Sequence, residues 1–168
     1  MSGTQVPADA AVCQALDALG IRYTRHDHPP VFTVDEAEQH WAGIEATHCK
    51  NLFLRNRKGT RHYLVVAEHR AQVNLARISA IVGDDKLGFA SPERLAKYLG
   101  LTPGSVSPFG LINDTTREVR VVIDATLRGA ARVAFHPNVN TATLVVAGLD
   151  FERFLASTGH VVTWAPLA

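Results

Sequence analysis

The sequence predicts a single α/β domain in which helices pack against a mixed β-sheet. Segments with the spacing of amphipathic helices alternate with short apolar segments typical of strands, and the two types intermix along the chain. A hairpin is predicted near the middle, so antiparallel pairs must contribute to the sheet. With 168 residues, of which 46% are hydrophobic, the chain can build one sizeable core, and its sequence contains no repeat, low-complexity tract or linker. We therefore expect one domain over residues 1–168.

The first part of the chain predicts a helix, a strand and a second helix. Residues 8–19 carry apolar side chains at helical spacing before a glycine, which is a typical helix end. Residues 21–28 read as a strand that two prolines end. Thr33 and Glu36 fit a capping box, in which each side chain satisfies an exposed backbone donor of the other residue. A helix from Thr33 to about Trp41 follows from this pattern.

The predicted hairpin places a lysine in an unusual position. Residues 50–54 begin one strand, and residues 61–67 form its partner. Alternate residues of a strand share a face, so Lys50 heads a row that Leu52 and Leu54 continue. One interpretation places Lys50 at the first strand position, with its ammonium group reaching water. The other makes it a ligand-binding group, since a half-buried lysine needs a partner. The spacing alone favours the first interpretation.

The second half of the chain begins with two helices whose starts are marked. Asn74 begins a helix, and Val73 and Ile78 occupy the two positions of a hydrophobic staple. After a short strand at 87–90, Ser91 precedes a proline, which is a strong helix start. The remaining predicted elements are a loop at 102–110, strands at 119–124, 132–136, 141–147 and 160–164, and a helix that Asp150 caps and Gly159 ends.

Composition excludes several classes of protein. Seventeen basic and sixteen acidic residues give a net charge of +1, which argues against a broad cationic surface for long nucleic acids but allows a local basic patch. The two cysteines, Cys13 and Cys49, form neither a disulfide framework nor a zinc motif, which favours a reducing cytoplasm. No apolar run approaches the ~20 residues of a membrane span, and no signal-peptide pattern is present. We expect a soluble cytoplasmic protein.

Common catalytic motifs are missing from the sequence. Eight histidines suggest a metal site, but no metal-binding spacing accompanies them, so we expect surface histidines and no metal. There is no Gly-x-Ser-x-Gly elbow and no glycine-rich phosphate loop, so we expect no cofactor. Lys50 could lower the pKa of the Cys49 thiol, but adjacent strand residues point to opposite faces. A protein nucleophile is therefore not predicted.

Two segments remain as candidate sites. The loop at 102–110 contains two prolines and two glycines, and a stiff loop of this kind can present the backbone N–H groups of residues 104–110 to a phosphate or a carbonyl oxygen. His136 stands before Pro137 at a predicted strand end, where functional side chains often lie. The alternatives are an ordinary helix-to-strand connection for the loop and a capped strand end for His136.

Taken together, these motifs resemble the YbaK/ProX family, the editing domains associated with prolyl-tRNA synthetase. The resemblance covers residues from about 16 to 163. It rests on four motifs in a fixed order: KNLFL at 50–54, SPERL at 91–95, Gly104 and Pro108 followed by LIND at 111–114, and FHP at 135–137 followed by Asn140 and Thr141. It implies a compact α/β domain with a mixed, strongly curved sheet.

The resemblance also implies an activity, most similar to that of the free-standing members that hydrolyse alanyl-tRNA(Pro). These enzymes cleave the ester between a wrong amino acid and the terminal adenosine of tRNA. By this likeness Lys50, Gly104 and His136 would be catalytic. Substrate binding would fall to Asn51, Ser105, Val106, Ser107, Pro108, Pro137 and Asn140.

Several points stay open at this stage. Asn138 and the pair Phe109–Gly110 depart from the usual family pattern, which leaves the fine amino-acid selectivity unsettled. The alternatives are a sister deacylase for cysteinyl-tRNA(Pro) or for seryl- or threonyl-tRNA, and a non-catalytic module that binds aminoacyl-tRNA or a synthetase. The implied partners are the acceptor end of tRNA(Pro) and prolyl-tRNA synthetase, and the sequence leaves the oligomeric state open.

Overall fold

Strands and helices alternate along the chain in a computed structural model that describes residues 6–31 and 33–168. The strands are β1 Tyr23–Asp27, β2 Thr47–Arg55, β3 His62–Glu68, β4 Gly88–Phe89, β5 Val119–Asp124, β6 Arg132–Phe135, β7 Ala142–Ala147 and β8 Val162–Ala165. The α-helices are α1 Ala8–Ala18, α2 Val34–Trp41, α3 Leu75–Val82, α4 Pro92–Leu99 and α5 Gly148–Thr158, and short 3-10 helices span Pro108–Asn113 and Ala125–Leu127. Within the described residues, no helix is both long and apolar enough to cross a membrane.

Strand β2 organises the sheet, whose order is β1-β7-β6-β2-β3-β5-β8. Its first residues, Thr47 and His48, pair in parallel with β6, and residues 49–55 pair antiparallel with β3. Its last two residues also pair with β4. Parallel and antiparallel pairs therefore meet on one strand, and the predicted mixed α/β fold is confirmed.

The two faces of the β2–β3 hairpin build two hydrophobic clusters. Phe53, Leu64 and Val66 belong to the larger cluster, which includes core residues of α1, α4 and α5. Leu54 and Val65 point the opposite way and join Ile78 of α3, a cluster that Val73 also contacts. Helices on both faces explain why most of β3 is buried although it lies in a sheet with antiparallel pairs.

The predicted helix starts are confirmed at three positions where the signal is local. Thr33 accepts a hydrogen bond from the backbone N–H of Glu36 at 3.1 Å. Asn74 and Ser91 accept in the same way from the third residue of their helices, at 3.2 Å in both cases. The staple residue Val73 also packs in the cluster that contains Ile78. These starts depend on residues within one turn, which is why the sequence suffices to find them.

The predicted start of the last helix and the predicted end of the loop at 102–110 are wrong. Asp150 does not cap α5, which begins at Gly148, and its carboxylate instead binds Arg153 within the first turn at 2.9 Å. A Cβ atom on Gly148 would lie 2.1 Å from the carbonyl oxygen of Ala130, so the close approach of another segment selects glycine there. The end of the 102–110 loop is also not irregular. It enters the 3-10 helix Pro108–Asn113, whose start Ser107 caps.

Strand β2 begins three residues earlier than predicted, at Thr47. The extension arises from the parallel pairing of Thr47 and His48 with β6, which is a contact between distant parts of the chain. Lys50 is consequently an interior residue of the strand, paired with Ala67. The interpretation of Lys50 as a terminal residue that simply reaches water is therefore wrong.

Candidate active site

A cavity of about 210 Å³ lies where β2, α2, the loop after α4 and the end of β6 meet. Five of the residues that the sequence singles out line it: Lys50, Asn51, Gly104, Val106 and His136. The other lining residues are Val31, Thr33, Ala37, Trp41, Cys49 and His69. The structure thus joins residues from four separate segments in one cavity that is small for a ligand site.

Lys50 is held in the cavity wall by a single backbone contact. Its ammonium group donates a hydrogen bond to the carbonyl oxygen of Ala71, which follows β3. The side chain is half-buried, and an ammonium group has three donors. Lys50 can therefore offer positive charge to a ligand while its position is fixed by the chain itself.

Asn51 brings an unused acceptor to the same cavity. Its Oδ1 atom is buried and has no hydrogen-bond partner among the residues that the structure describes. A buried polar atom without a partner costs about 1–3 kcal/mol of stability. Since Asn51 also lines the cavity, this atom is available to accept a hydrogen bond from a ligand.

His136 is held as a neutral imidazole. Its Nδ1 atom lies 2.8 Å from the carbonyl oxygen of Ala142 and must donate the hydrogen there. Burial lowers the pKa of His136, and the neighbouring His28 ring, 5.9 Å away, lowers it further, against the hydrogen bond to Ala142, which raises it. Nε2 of the neutral ring therefore carries a lone pair on a residue that lines the cavity.

The loop after α4 supplies backbone donors. Gly104 has a φ of +89°, in the left-handed region that favours glycine. The backbone N–H of Ser105 donates to Thr102 at 3.0 Å, which closes a turn. Within the part of the chain that the structure describes, the N–H groups of Gly104 and Val106 have no protein acceptor. The loop can therefore direct two N–H groups at a ligand oxygen.

The other predicted substrate-binding residues lie outside the cavity lining. These are Ser105, Ser107, Pro108, Pro137 and Asn140. The first four are buried and Asn140 is half-exposed. Their positions fit a supporting layer for the loop and for the turn after His136, and their substrate-binding roles stay predictions.

Trp41 and His69 are lining residues that sequence reasoning missed. The indole ring of Trp41 stacks on His48 with centroids 4.3 Å apart and planes 13° apart, and His69 meets it edge-on at 5.0 Å. His48 is buried, and burial lowers its pKa, so it packs as a neutral ring. No local sequence pattern predicts the cluster of Trp41, His48 and His69, because these residues lie on α2, at the start of β2 and after β3.

The expectation that the histidines lie on the surface is wrong for part of the set. His48, His62 and His160 are buried, each with its own partner. His160 contacts the carboxylate of Asp114 at 2.9 Å, and His62 contacts Arg94. Isolated histidines carry little periodic signal, so their burial depends on tertiary contacts that the sequence does not display.

Cys49 is a poor candidate for a nucleophile. Burial, together with the smaller effect of the Glu68 carboxylate, raises the pKa of its thiol to about 12. The thiol therefore stays protonated near neutral pH, whereas the reactive form is the thiolate. The raised thiol pKa is a physical reason to expect that the reaction does not use Cys49 as a nucleophile.

The fold and the cavity together describe a mixed α/β domain with a small cavity that polar and apolar side chains line together. Residues 28–154 match the family described as the aminoacyl-tRNA editing domain. The chain belongs to this family, and the resemblance to YbaK/ProX proteins is confirmed.

Individual relatives support the same assignment. The chain is 47% identical over 155 residues to the prolyl-tRNA editing protein ProX of Acetoanaerobium sticklandii, covering 91% of this chain and 93% of that protein. It is 35% identical over 164 residues to prolyl-tRNA synthetase associated domain-containing protein 1 of Bos taurus, covering 95% and 94%. A crystal structure described as a candidate trans-editing enzyme for prolyl-tRNA synthetase matches with a TM-score of 0.70 at 24% identity, covering 95% and 97%, which shows the fold alone.

Proposed function

We propose that this protein is a hydrolase that removes alanine from mischarged alanyl-tRNA(Pro) by cleaving the aminoacyl ester. The observation that carries the proposal is the arrangement of one cavity. Lys50, the unpartnered Oδ1 of Asn51 and the unbonded N–H groups of Gly104 and Val106 line it together. Membership of the editing family and the name of the ProX relative supply the substrate class.

The available groups suit an aminoacyl ester. The α-ammonium group of the substrate is a hydrogen-bond donor, and we assign it to the free Oδ1 of Asn51. The ester carbonyl oxygen becomes negative in the transition state, and the N–H groups of Gly104 and Val106 stabilise that charge. The positive charge of Lys50 acts in the same direction. Because an aminoacyl ester is already activated, positioning and charge stabilisation suffice without a protein nucleophile.

Water is the nucleophile in this proposal. Nε2 of neutral His136 accepts a hydrogen bond from the water and orients it towards the carbonyl carbon. The water oxygen forms a bond to that carbon and the bond between the carbon and the ribose oxygen breaks. The ribose oxygen leaves with the proton that the water loses. The products are free alanine and tRNA with an intact terminal adenosine.

The size of the cavity supports alanine as the amino acid. A synthetase pocket built for proline cannot strongly reject a smaller side chain, since each missing methylene loses only ~1–3 kcal/mol. A second, smaller site can reverse this selection by excluding proline sterically. The cavity of about 210 Å³, with His136 fixed by Ala142, has the character of such a sieve. Prolyl-tRNA synthetase, as the source of the error, is the partner this activity implies.

A deacylation panel tests the proposal. Purified protein is incubated with tRNA(Pro) carrying alanine, serine, cysteine, threonine or proline, and loss of each ester is followed. We expect fast hydrolysis of the alanyl ester, slower hydrolysis of the seryl ester and sparing of the prolyl ester. Preference for the cysteinyl or threonyl ester would identify a sister deacylase, and binding without turnover would identify a non-catalytic module. Equal cleavage of the prolyl and alanyl esters would remove the size-sieve argument.

A further inference from the structure

A second feature of the molecule is a group of cations along α4 and the hairpin tip. We define the α4 track as Arg55, Lys58, Arg94 and Lys97. Lys58 and Lys97 are exposed, and Arg55 and Arg94 are half-exposed. No ion pair joins any of the four to a described residue. The helix carries a single acidic residue, Glu93, so the track has excess positive charge in a chain of net charge +1.

Hydrogen bonds fix two members of the track. Arg94 donates to the carbonyl oxygen of Gly59 at 2.9 Å and lies 3.0 Å from Nε2 of His62. Arg55 donates to the carbonyl oxygen of Asn56 at 3.1 Å. These bonds use backbone oxygens and a neutral ring, so the guanidinium charges are positioned but not neutralised. Since both residues keep donors in their planar groups, they remain able to bind an anion.

The track leads to the cavity. Arg94, near the start of α4, contacts the hairpin tip at Gly59, and Tyr98, one turn later, packs on His62 with ring centroids 4.0 Å apart. The loop after α4 then lines the cavity at Gly104. Helix α4 therefore contacts the hairpin tip near its start and is followed by the loop that lines the cavity.

The length of the track fits a few nucleotides. Arg55 lies four residues beyond Asn51 on the same face of β2, about 14 Å away at about 3.4 Å per residue. Over such a distance the cations can contact only a few phosphates next to the aminoacylated end. A chain whose aminoacylated end occupies the cavity therefore brings its nearest phosphates to the track.

We propose that the α4 track binds the sugar–phosphate backbone of the tRNA acceptor end and directs the aminoacylated terminus into the cavity. The occupant follows from charge complementarity, because a row of unpaired cations beside the site of an RNA-linked ester fits phosphates. This inference rests on the proposed function for the identity of the RNA. The track sets how tightly tRNA binds and contributes nothing to the bond-breaking step.

The test uses the double variant Lys58→Gln/Lys97→Gln, since these exposed side chains make no described hydrogen bond. The matched control is Arg22→Gln, which removes an exposed cation without a described ion pair, next to the edge strand β1 and away from the central hairpin. Binding of uncharged tRNA(Pro) is measured against KCl concentration. Turnover is measured with alanyl-tRNA(Pro) and with 3′-O-alanyladenosine, which has no phosphate.

Each phosphate contact with a single strand contributes about −0.7 to the slope of the logarithm of the binding constant against the logarithm of the salt concentration. Four contacts therefore predict a slope of about −2.8 for the wild type. Loss of two contacts predicts a slope of about −1.4 for the double variant. We expect the KM for alanyl-tRNA(Pro) to rise several-fold, with kcat and the turnover of alanyladenosine unchanged and with Arg22→Gln behaving as wild type.

An unchanged slope in the double variant, an equal loss in the control or a loss of alanyladenosine turnover would overturn the inference. So would weakened binding to prolyl-tRNA synthetase with tRNA binding intact, since the track would then bind protein. If the wild type hydrolyses neither ester, the proposed function fails, and the salt slope with uncharged tRNA still decides whether the track binds RNA.

Discussion

We expect the buried His62 to make the folded protein less stable in mild acid. The side chain is only 2% exposed, and its Nε2 accepts a hydrogen bond from Arg94. Burial, together with the smaller effect of the charges of Arg94, Lys97 and Arg55, lowers the pKa of His62 from 6.5 to about 4. The folded protein therefore keeps this ring neutral at pH values where the unfolded chain protonates it.

The sign and size of the effect follow from linkage. Because the folded pKa lies below the unfolded one, the unfolded state binds more protons, and stability is lost as the pH falls from about 6.5 towards about 4. Complete titration over that difference corresponds to about 3 kcal/mol. Between about pH 7.5 and about pH 5 the loss is about 2 kcal/mol, which is a large share of the stability of a small domain.

The perturbation is His62→Gln, which keeps an acceptor for Arg94 but cannot titrate. Unfolding free energies are measured by urea denaturation of the wild type and the variant at about pH 7.5 and about pH 5. His48 and His136 also have lowered pKa values, so both proteins should weaken in acid. The wild type should lose about 2 kcal/mol more than the variant. Equal losses in the two proteins would show that His62 is not held neutral by its surroundings, and the reasoning would fail.

Four further predictions concern the cavity. Lys50→Met keeps the aliphatic stem and removes the charge, so thermal unfolding should occur at an unchanged or higher temperature while deacylation falls severely; wild-type rates would rule out a catalytic role. Asn51→Leu removes the unpartnered buried oxygen, so urea denaturation should show a gain of about 1 kcal/mol, with a raised KM for the alanyl ester. His136→Ala enlarges the cavity and should reduce discrimination between the alanyl and prolyl esters more than it weakens tRNA binding. In the wild type the lowered pKa of His136 should keep the site active as the pH falls to 6.5, and kcat/KM should decline only below that value.

Local signals in the sequence predicted most of the element boundaries. The helix starts at Thr33, Asn74 and Ser91 each depend on one side chain bonding a backbone group three residues later. The hairpin follows from two apolar segments around a short turn. Such features need no information about the rest of the fold, which is why they could be found without a structure.

Features that depend on distant segments were missed or misplaced. The start of β2 is set by pairing with β6, and the start of α5 by the close approach of Gly148 to Ala130. The same limit applies to the site. The stack of Trp41 on His48 joins α2 to β2 across a cavity wall, and nothing in the spacing of either residue indicates that contact.

The structure gives a different interpretation of Asn138, a residue that departs from the usual family pattern. The sequence alone leaves Asn138 as a residue that unsettles selectivity, since it departs from the pattern that the family resemblance implies. Its φ is +63°, in the left-handed region, which asparagine tolerates better than most other residues with side chains. Its Nδ2 atom lies 3.4 Å from the carbonyl oxygen of Phe109, and Asn138 does not line the cavity. Asparagine at this position therefore fits the turn after His136 and ties that turn to the 3-10 helix.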